Sequence, residues 1–260
     1  MAKKTEVRRE QIVTLASETG LASVEDLAVQ FSVTPSTIRR DLAQLSADGR
    51  LARTYGGAIA PNAHTESSLR EREQEGYAAK SAIAAWVASQ IEPGETIFLD
   101  AGSTTSLLAR RLPEQADLTV VTSSIPVITA LQGRTDLDLI CLGGRLRPLS
   151  RAFVGPLTEV ALERLSFDRL FLGTDGVSVD GSICEAELDQ TRLKELLAGR
   201  SRHTYVLAHS AKLGVAPFNS WANLGSDWIL VTDTAADPGF TEAFTAGGRQ
   251  VVTVDLAPPS

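Results

Sequence analysis

The chain has 260 residues, of which 43% are hydrophobic and 22% charged, with a formal net charge of −7. That length suits one large or two modest domains. No run of about 18 apolar residues offers a membrane span, two cysteines without a sign of export make no disulfide framework, and an acidic whole gives no overall attraction to DNA.

The opening stretch "MAKKTEVRREQ" leads straight into a charged helical pattern with no apolar run of signal type, so a cytoplasmic protein is expected. Residues 1–60 hold eight basic against seven acidic side chains, while the remainder holds seventeen against twenty-five. Any pull on DNA must therefore come from a local patch in the first segment. Ile12, Leu15 and Ala16 predict a helix over about residues 5–19, which Gly20 would stop. Ser23 can cap a second helix, whose apolar stripe is Val24, Leu27, Ala28 and Phe31. "SVT" is the turn. Thr34 caps the third helix, Pro35 fits its first position, and Ile38, Leu42 and Leu45 form its buried stripe up to Gly49.

That stripe decides where the arginines point. With it inward, Ser36, Thr37, Arg39 and Arg40 lie on the open side near the helix start. "RLARTYGGAIA" then reads as two strands and a Gly-Gly turn, a wing that carries Arg53 and Tyr55. Three helices, a short turn and a wing make a winged helix-turn-helix over 1–60, with the third helix in the major groove. Two adjacent arginines alone would be ordinary solvated charge. Here one would meet a base edge and the other a phosphate, and the pattern does not say which. Asp41 is expected to pair locally and orient an arginine.

Residues 61–76 are expected as a linker, polar and aperiodic in "PNAHTESS", before "LREREQEGYAAKSAIAAWVASQI" turns helical. From residue 96 the runs "TIFLD", "LTVVTS", "LDLICLGG", "DRLFLGTDGV", "TYVLAHS", "WILVTD" and "QVVTVD" alternate with helical patterns. They are short and rich in Val, Ile and Leu, as strands buried on both faces should be. An α/β domain over 77–260 with a mostly parallel sheet follows. His64, His203 and His209 show no ligand spacing with Cys141 or Cys184, so no metal site and no cofactor are expected. Cys141, inside an apolar run, reads as a small buried residue.

In such sheets ligands bind beyond the carboxyl ends of the strands. "TIFLD" closes on Asp100 and runs into Gly102, Ser103, Thr104 and Thr105, a glycine and hydroxyl loop at a helix start that suits a phosphate. Other strands run into Thr122, Ser123 and Ser124, into Gly143 and Gly144 with Arg147 beyond, into Asp175, and into Lys212. Each alone is an ordinary cap, turn residue or surface cation. Together they suit a polyhydroxylated, phosphorylated ligand.

These motifs resemble those of DeoR-family transcriptional regulators. The N-terminal likeness is carried by "STIRRDLAQLSADGRLARTYGGA", and the C-terminal one by "FLDAGSTT", "VVTSS", "LGGRLR", "FVG", "LGTDGV" and the lysine of "AHSAK". The resemblance implies a C-terminal domain similar to ribose-5-phosphate isomerases that binds a phosphorylated sugar effector. It also implies a homodimer or homotetramer, and basic effector-site positions at Arg72 and Lys80. Tyr55 stands where many members have histidine, Ser123 where asparagine is frequent, and His209 and Ala211 where Asp and Ser usually precede the lysine.

The expected function is a repressor of carbohydrate-metabolism genes that binds a double-stranded DNA operator under control of a sugar phosphate, with no membrane partner. The alternative is a sugar-phosphate aldose–ketose isomerase with an accessory N-terminal domain. It would use Asp175 and Lys212 for proton transfer, and it is weakened by the missing carboxylate at 209.

Overall fold

A computed structural model describes residues 5, 7–12, 22–47, 52–54, 57–59 and 66–256. The chain divides into two compact units, Met1–Thr65 and Glu66–Ser260.

In the first unit, residues 7–12 are helical, α1 spans Val24–Gln30 and α2 spans Pro35–Ala47. The stripes read from the sequence meet in one cluster: Ile12, Val24, Leu27, Ala28, Ile38, Leu42 and Leu45 are buried, with Phe31 packed against them. Each large side chain of this kind contributes about 1.5–3 kcal/mol by leaving water. Thr34 caps α2 as its sequence suggests, its Oγ1 accepting the Thr37 N–H at 3.3 Å.

The wing has one strand more than expected. β2 (Ala52–Thr54) and β3 (Gly57–Ile59) pair antiparallel, and β1 (Ala22–Ser23) joins the other side of β3. Two residues are too few to show an alternating pattern, so nothing in the sequence marks β1.

Asp41 does not pair locally. Its buried carboxylate accepts Arg8 Nε at 2.7 Å on one oxygen and Arg9 Nε at 3.0 Å on the other. A charged tie thus fixes α2 to the first helix.

In the second unit, seven strands form one parallel sheet. They are β4 (Thr96–Leu99), β5 (Leu118–Thr122), β6 (Leu137–Cys141), β9 (Phe167–Leu172), β12 (Ser201–Leu207), β14 (Trp228–Asp233) and β15 (Gln250–Val254). Their order is β15-β14-β12-β9-β4-β5-β6. These are the seven apolar runs of the sequence. Side chains alternate across the sheet: Ile97, Leu99, Val120, Phe171 and Leu207 feed one core, and Phe98, Val121, Leu170, Leu172 and Val206 the other.

Over the first core lie α4 (Tyr77–Ala88), α5 (Ser103–Ala109) and α6 (Ile125–Leu131). Over the second lie α7 (Pro156–Leu162), α8 (Leu188–Ala198) and α9 (Pro238–Ala246). The result is a three-layer α/β/α domain. Cys141, expected to be buried, is exposed because β6 is the last strand of the sheet, and Cys184 is the buried one.

Short segments that the sequence does not announce complete the unit. β7 (Arg145–Arg147) and β8 (Ala152–Val154) form a hairpin. β10 (Gly176–Val177), β11 (Ser182–Glu185) and β13 (Ser220–Asn223) form a small antiparallel sheet. Within the span expected as linker, Leu69–Gln74 is a helix, α3, belonging to the second unit. Ser68 and Glu71 close its start in a reciprocal capping box, and Leu69 is buried. Residues 61–65 lie outside those described.

Replacing Asp41 by Ala strips Arg8 and Arg9 of their shared carboxylate. The expected cost to the first unit is about 1–3 kcal/mol, since both arginines keep some contact with water. Hydrogen exchange should show reduced protection in peptides covering 35–47 and unchanged protection in those covering 96–122.

Candidate functional site

Two surfaces carry chemistry, one in each unit. On α2, Ser36, Arg39 and Arg40 are exposed and Thr37 is half-buried, all on the side opposite Ile38, Leu42 and Leu45. The Ser36 and Thr37 hydroxyls each lie 2.9 Å from Thr34 Oγ1, so both are tied into the cap at the start of the helix. Arg53 lies in β2, opposite Ala58 of β3. Its side chain, and all of Tyr55, lie outside the described residues.

In the second unit the strand order turns at β4, with β5 and β6 to one side and β9, β12, β14 and β15 to the other. The crevice at such a turn is the natural ligand site of an open α/β sheet. A cleft lies there, lined by Gly102, Ser103, Thr104, Thr174, Asp175 and Lys212. Arg72, Lys80, Ser150, Glu185, Gln190, Lys194 and His209 also line it.

Its floor is a buried ion cluster. Lys194 Nζ donates to the Gly173 carbonyl at 2.9 Å, lies 3.2 Å from Asp100 Oδ2, and bonds to Glu185 Oε1. Asp100 Oδ2 also accepts the Gly173 N–H at 3.2 Å. Three acceptors match the three donors of an ammonium. Burial works against the charge on Lys194, but Asp100 and Glu185 outweigh it and raise its pKa. The Glu185 carboxyl is itself pushed up by burial, with Lys194 pulling the other way.

Cations form the upper wall. Lys212 Nζ lies 3.3 Å from Asp175 Oδ1 and donates to the Thr174 carbonyl at 3.2 Å. Arg72 reaches the same Asp175 oxygen at 3.2 Å. Lys80 Nζ donates to the Arg72 carbonyl. Burial lowers the Lys80 pKa to about 8, with the charges of Lys212 and Arg72 adding to the effect. Burial also lowers His209 to about 4, and the Lys80 and Lys212 charges press the same way. The imidazole packs against the backbone of Gly76, where an added Cβ would come within 2.9 Å of the ring. Asp175 Oδ2, Arg72 Nε and Ser150 Oγ are buried without a hydrogen-bond partner among the described residues.

Several expected residues support the cleft without lining it. Thr105 donates to the Gly102 carbonyl at 3.0 Å, and Thr122 to the Leu99 carbonyl at 2.6 Å. Ser124 caps α6. Asp100 and Ser123 line a small chamber beside Lys194. Gly143 accepts a bond from the Thr158 hydroxyl at 2.8 Å, and a Cβ on Gly144 would sit 2.2 Å from that hydroxyl, so this pair serves the turn into β7. Arg147 is buried and bonded to Glu66, and its Nε lies 3.0 Å from Glu187 without hydrogen-bond alignment. Burial opposes its charge, yet Glu66 and Glu187 outweigh that and raise its pKa.

Gln190 and Lys194 went unmarked in the sequence because "LDQTRLKELLAG" looks like an ordinary amphipathic helix with a solvated lysine, and Glu185 because it ends a four-residue strand too short to show a pattern. Among the described residues no cluster of His, Cys, Asp or Glu could hold a metal, and no helix is long and apolar enough to cross a membrane.

The model of the DeoR-like helix-turn-helix domain matches residues 8–64, and that of the DeoR C terminal sensor domain matches residues 75–234. The chain belongs to the DeoR family. It is similar to the HTH-type transcriptional regulator GlpR of Haloferax volcanii, 32% identical over 94% of this chain and 96% of that one. Likeness to the Glycerol-3-phosphate regulon repressor of Escherichia coli is 33% over 84% and 86%. For the Lactose phosphotransferase system repressor of Streptococcus mutans it is 30% over 90% and 94%. Ribose 5-phosphate isomerase A of Methanocaldococcus jannaschii overlaps 52% of this chain and 53% of its own, at 15% identity and a TM-score of 0.37. This DeoR-family chain is a transcriptional regulator, and the isomerase alternative falls with that.

The neutral imidazole of His209 fixes a pH dependence. Its folded pKa is depressed from 6.5 to about 4, so its contribution to stability is complete above pH 6.5 and is lost as the pH falls toward 4. The whole shift corresponds to about 3 kcal/mol. Urea unfolding between pH 7 and 4 should show His209→Asn losing less stability than the wild type by an amount of that order.

Proposed function

We propose that the protein is a repressor of carbohydrate or polyol metabolism genes whose hold on its operator is set by a phosphorylated sugar or sugar alcohol. In this reading α2 enters the major groove, with Ser36, Thr37, Arg39 and Arg40 toward the DNA and Arg53 and Tyr55 of the wing region on the backbone. Two chains read a two-fold operator as a homodimer or as half of a homotetramer. The protein works in the cytoplasm, where that DNA is.

The observation that carries the effector reading is the cation wall. Arg72, Lys80 and Lys212 converge on a cleft whose opposite lip is the Gly102–Ser103–Thr104 loop at the start of α5. Lys80, depressed to about 8, would regain its full charge beside an anion. Asp175 Oδ2, buried and without a partner, suits a ligand hydroxyl as donor. A phosphate ester carrying hydroxyls has both kinds of group. The names of the relatives, a glycerol-3-phosphate regulon repressor and a lactose phosphotransferase system repressor, agree with that chemistry.

Two measurements test this. Fluorescence anisotropy on DNA from upstream of the protein's own gene should show Arg39→Ala with Arg40→Ala losing about 2 kcal/mol or more of affinity, and an unchanged affinity would refute the DNA-reading assignment. Thermal-shift screening should show stabilisation by sugar and polyol phosphates, growing with ligand concentration over Kd, and none by the parent sugars. Equal shifts from both would remove the phosphate from the site.

A further inference from the structure

The first residue of the second unit is held by the same ion network that faces the cleft. Glu66 begins that unit, and its side chain is only 7% exposed. Arg147 of β7 takes both of its carboxylate oxygens, Nη1 donating to Oε1 at 2.8 Å and Nη2 to Oε2. Arg72, in the last turn of α3, lies 3.5 Å from the same Oε1 through Nη2. Its Nη1 bonds to Asp175 Oδ1 at 3.2 Å, the oxygen that also faces Lys212. One guanidinium is therefore divided between a carboxylate at the cleft and a carboxylate at the start of the unit.

The backbone follows the same path. The Leu69 N–H, at the first residue of α3, donates to the Leu149 carbonyl in the β7–β8 turn at 3.2 Å. Lys80 holds the far end of α3 through the Arg72 carbonyl. Residues 66–74 are thus pinned to the domain by Glu66, Leu69 and Arg72. The network is also incomplete, since Arg72 Nε and Asp175 Oδ2 are both buried without a hydrogen-bond partner among the described residues.

We propose that Glu66 couples the cleft to the DNA-binding unit. An anion at Lys212 and Arg72 competes with Glu66 and Asp175 for Arg72. Glu66 is then left to Arg147 alone, and the hold on the chain where it leaves for residues 1–65 is weakened. This rests on the reading that the cleft takes a phosphate ester. Glu66 is a positioning residue, acting through Arg72 and Arg147. Coupling of this kind is reciprocal: the operator changes ligand affinity by the same factor as the ligand changes operator affinity.

The test uses the full chain as wild type, Glu66→Gln, Arg147→Gln and the double variant. The probe is glycerol 3-phosphate, with glycerol and inorganic phosphate as controls. Thermal shift reads occupancy of the cleft, and anisotropy on the upstream DNA reads the response. Glu66→Gln should keep or enlarge the wild-type thermal shift with the probe, since Glu66 no longer competes for Arg72, while the factor by which the probe changes DNA affinity falls by about fivefold or more. The double variant should lose no more of that factor than either single variant, as members of one network do. Glu66→Asp, which keeps the charge, should restore part of it. A Glu66→Gln protein that answers the probe as the wild type does overturns the proposal.

A second arm needs no ligand. Hydrogen exchange over residues 66–76 should rise about tenfold in Glu66→Gln and stay unchanged over 96–122. Equal exchange in both proteins also overturns the proposal. Failure of the probe to stabilise the wild type would count against the choice of ligand, and the exchange arm then decides the coupling alone.

Discussion

The buried ammonium of Lys194 ties the two central strands of the sensor domain at the place where a ligand would enter. Lys194 lies between the ends of β4 and β9, the two strands at which the sheet changes direction, and it ties Asp100 after one strand to Gly173 after the other. An ion there costs several kcal/mol in lost hydration, and only full pairing offsets that cost. Glu185, carried in by the small antiparallel sheet, supplies the remaining partner. The ammonium on the floor of the cleft thus has all three of its donors met. What stands above it is free to answer to charge.

Above the floor the balance tips. Arg72 and Lys212 share Asp175, Lys80 bonds to the Arg72 carbonyl, and His209 is held neutral by burial and by its cationic neighbours. Many members of this family carry an aspartate where this chain has His209, and that carboxylate would neutralise part of the lysine charge. With a neutral imidazole there, no carboxylate at 209 offsets the charge of Lys80 and Lys212. The same substitution removes a carboxylate able to move protons, in line with a pocket that senses its ligand and leaves it unchanged.

The large features were legible because they follow from one rule each. The inner strands of the sheet are buried on both faces, and all seven stand out as short apolar runs. The three-helix scaffold shows because its stripes recur at helical spacing, and the same stripes turn Arg39 and Arg40 outward. What stayed hidden depends on distance in the chain. Asp41 finds its arginines more than thirty residues away, and Arg147 meets Glu66 eighty-one residues back. Charged residues read one at a time look solvated until the fold brings them together. The strands β7, β8, β10 and β11 are two to four residues long, below the length at which alternation has meaning. Thr105, Thr122 and Ser124 carried the right chemistry for a ligand but spend it on backbone groups nearby, which no spacing rule distinguishes.

The short strand β1 bears on how the DNA-binding unit behaves as an object. Its last residue, Ser23, pairs with Gly57 of β3, and the next residue, Val24, already begins α1. The wing is therefore joined to the helical part by two routes, through β1 into α1 and through the chain that follows α2. A hinge at only one of them cannot let it swing. A shift of β3 would be passed directly to the start of α1.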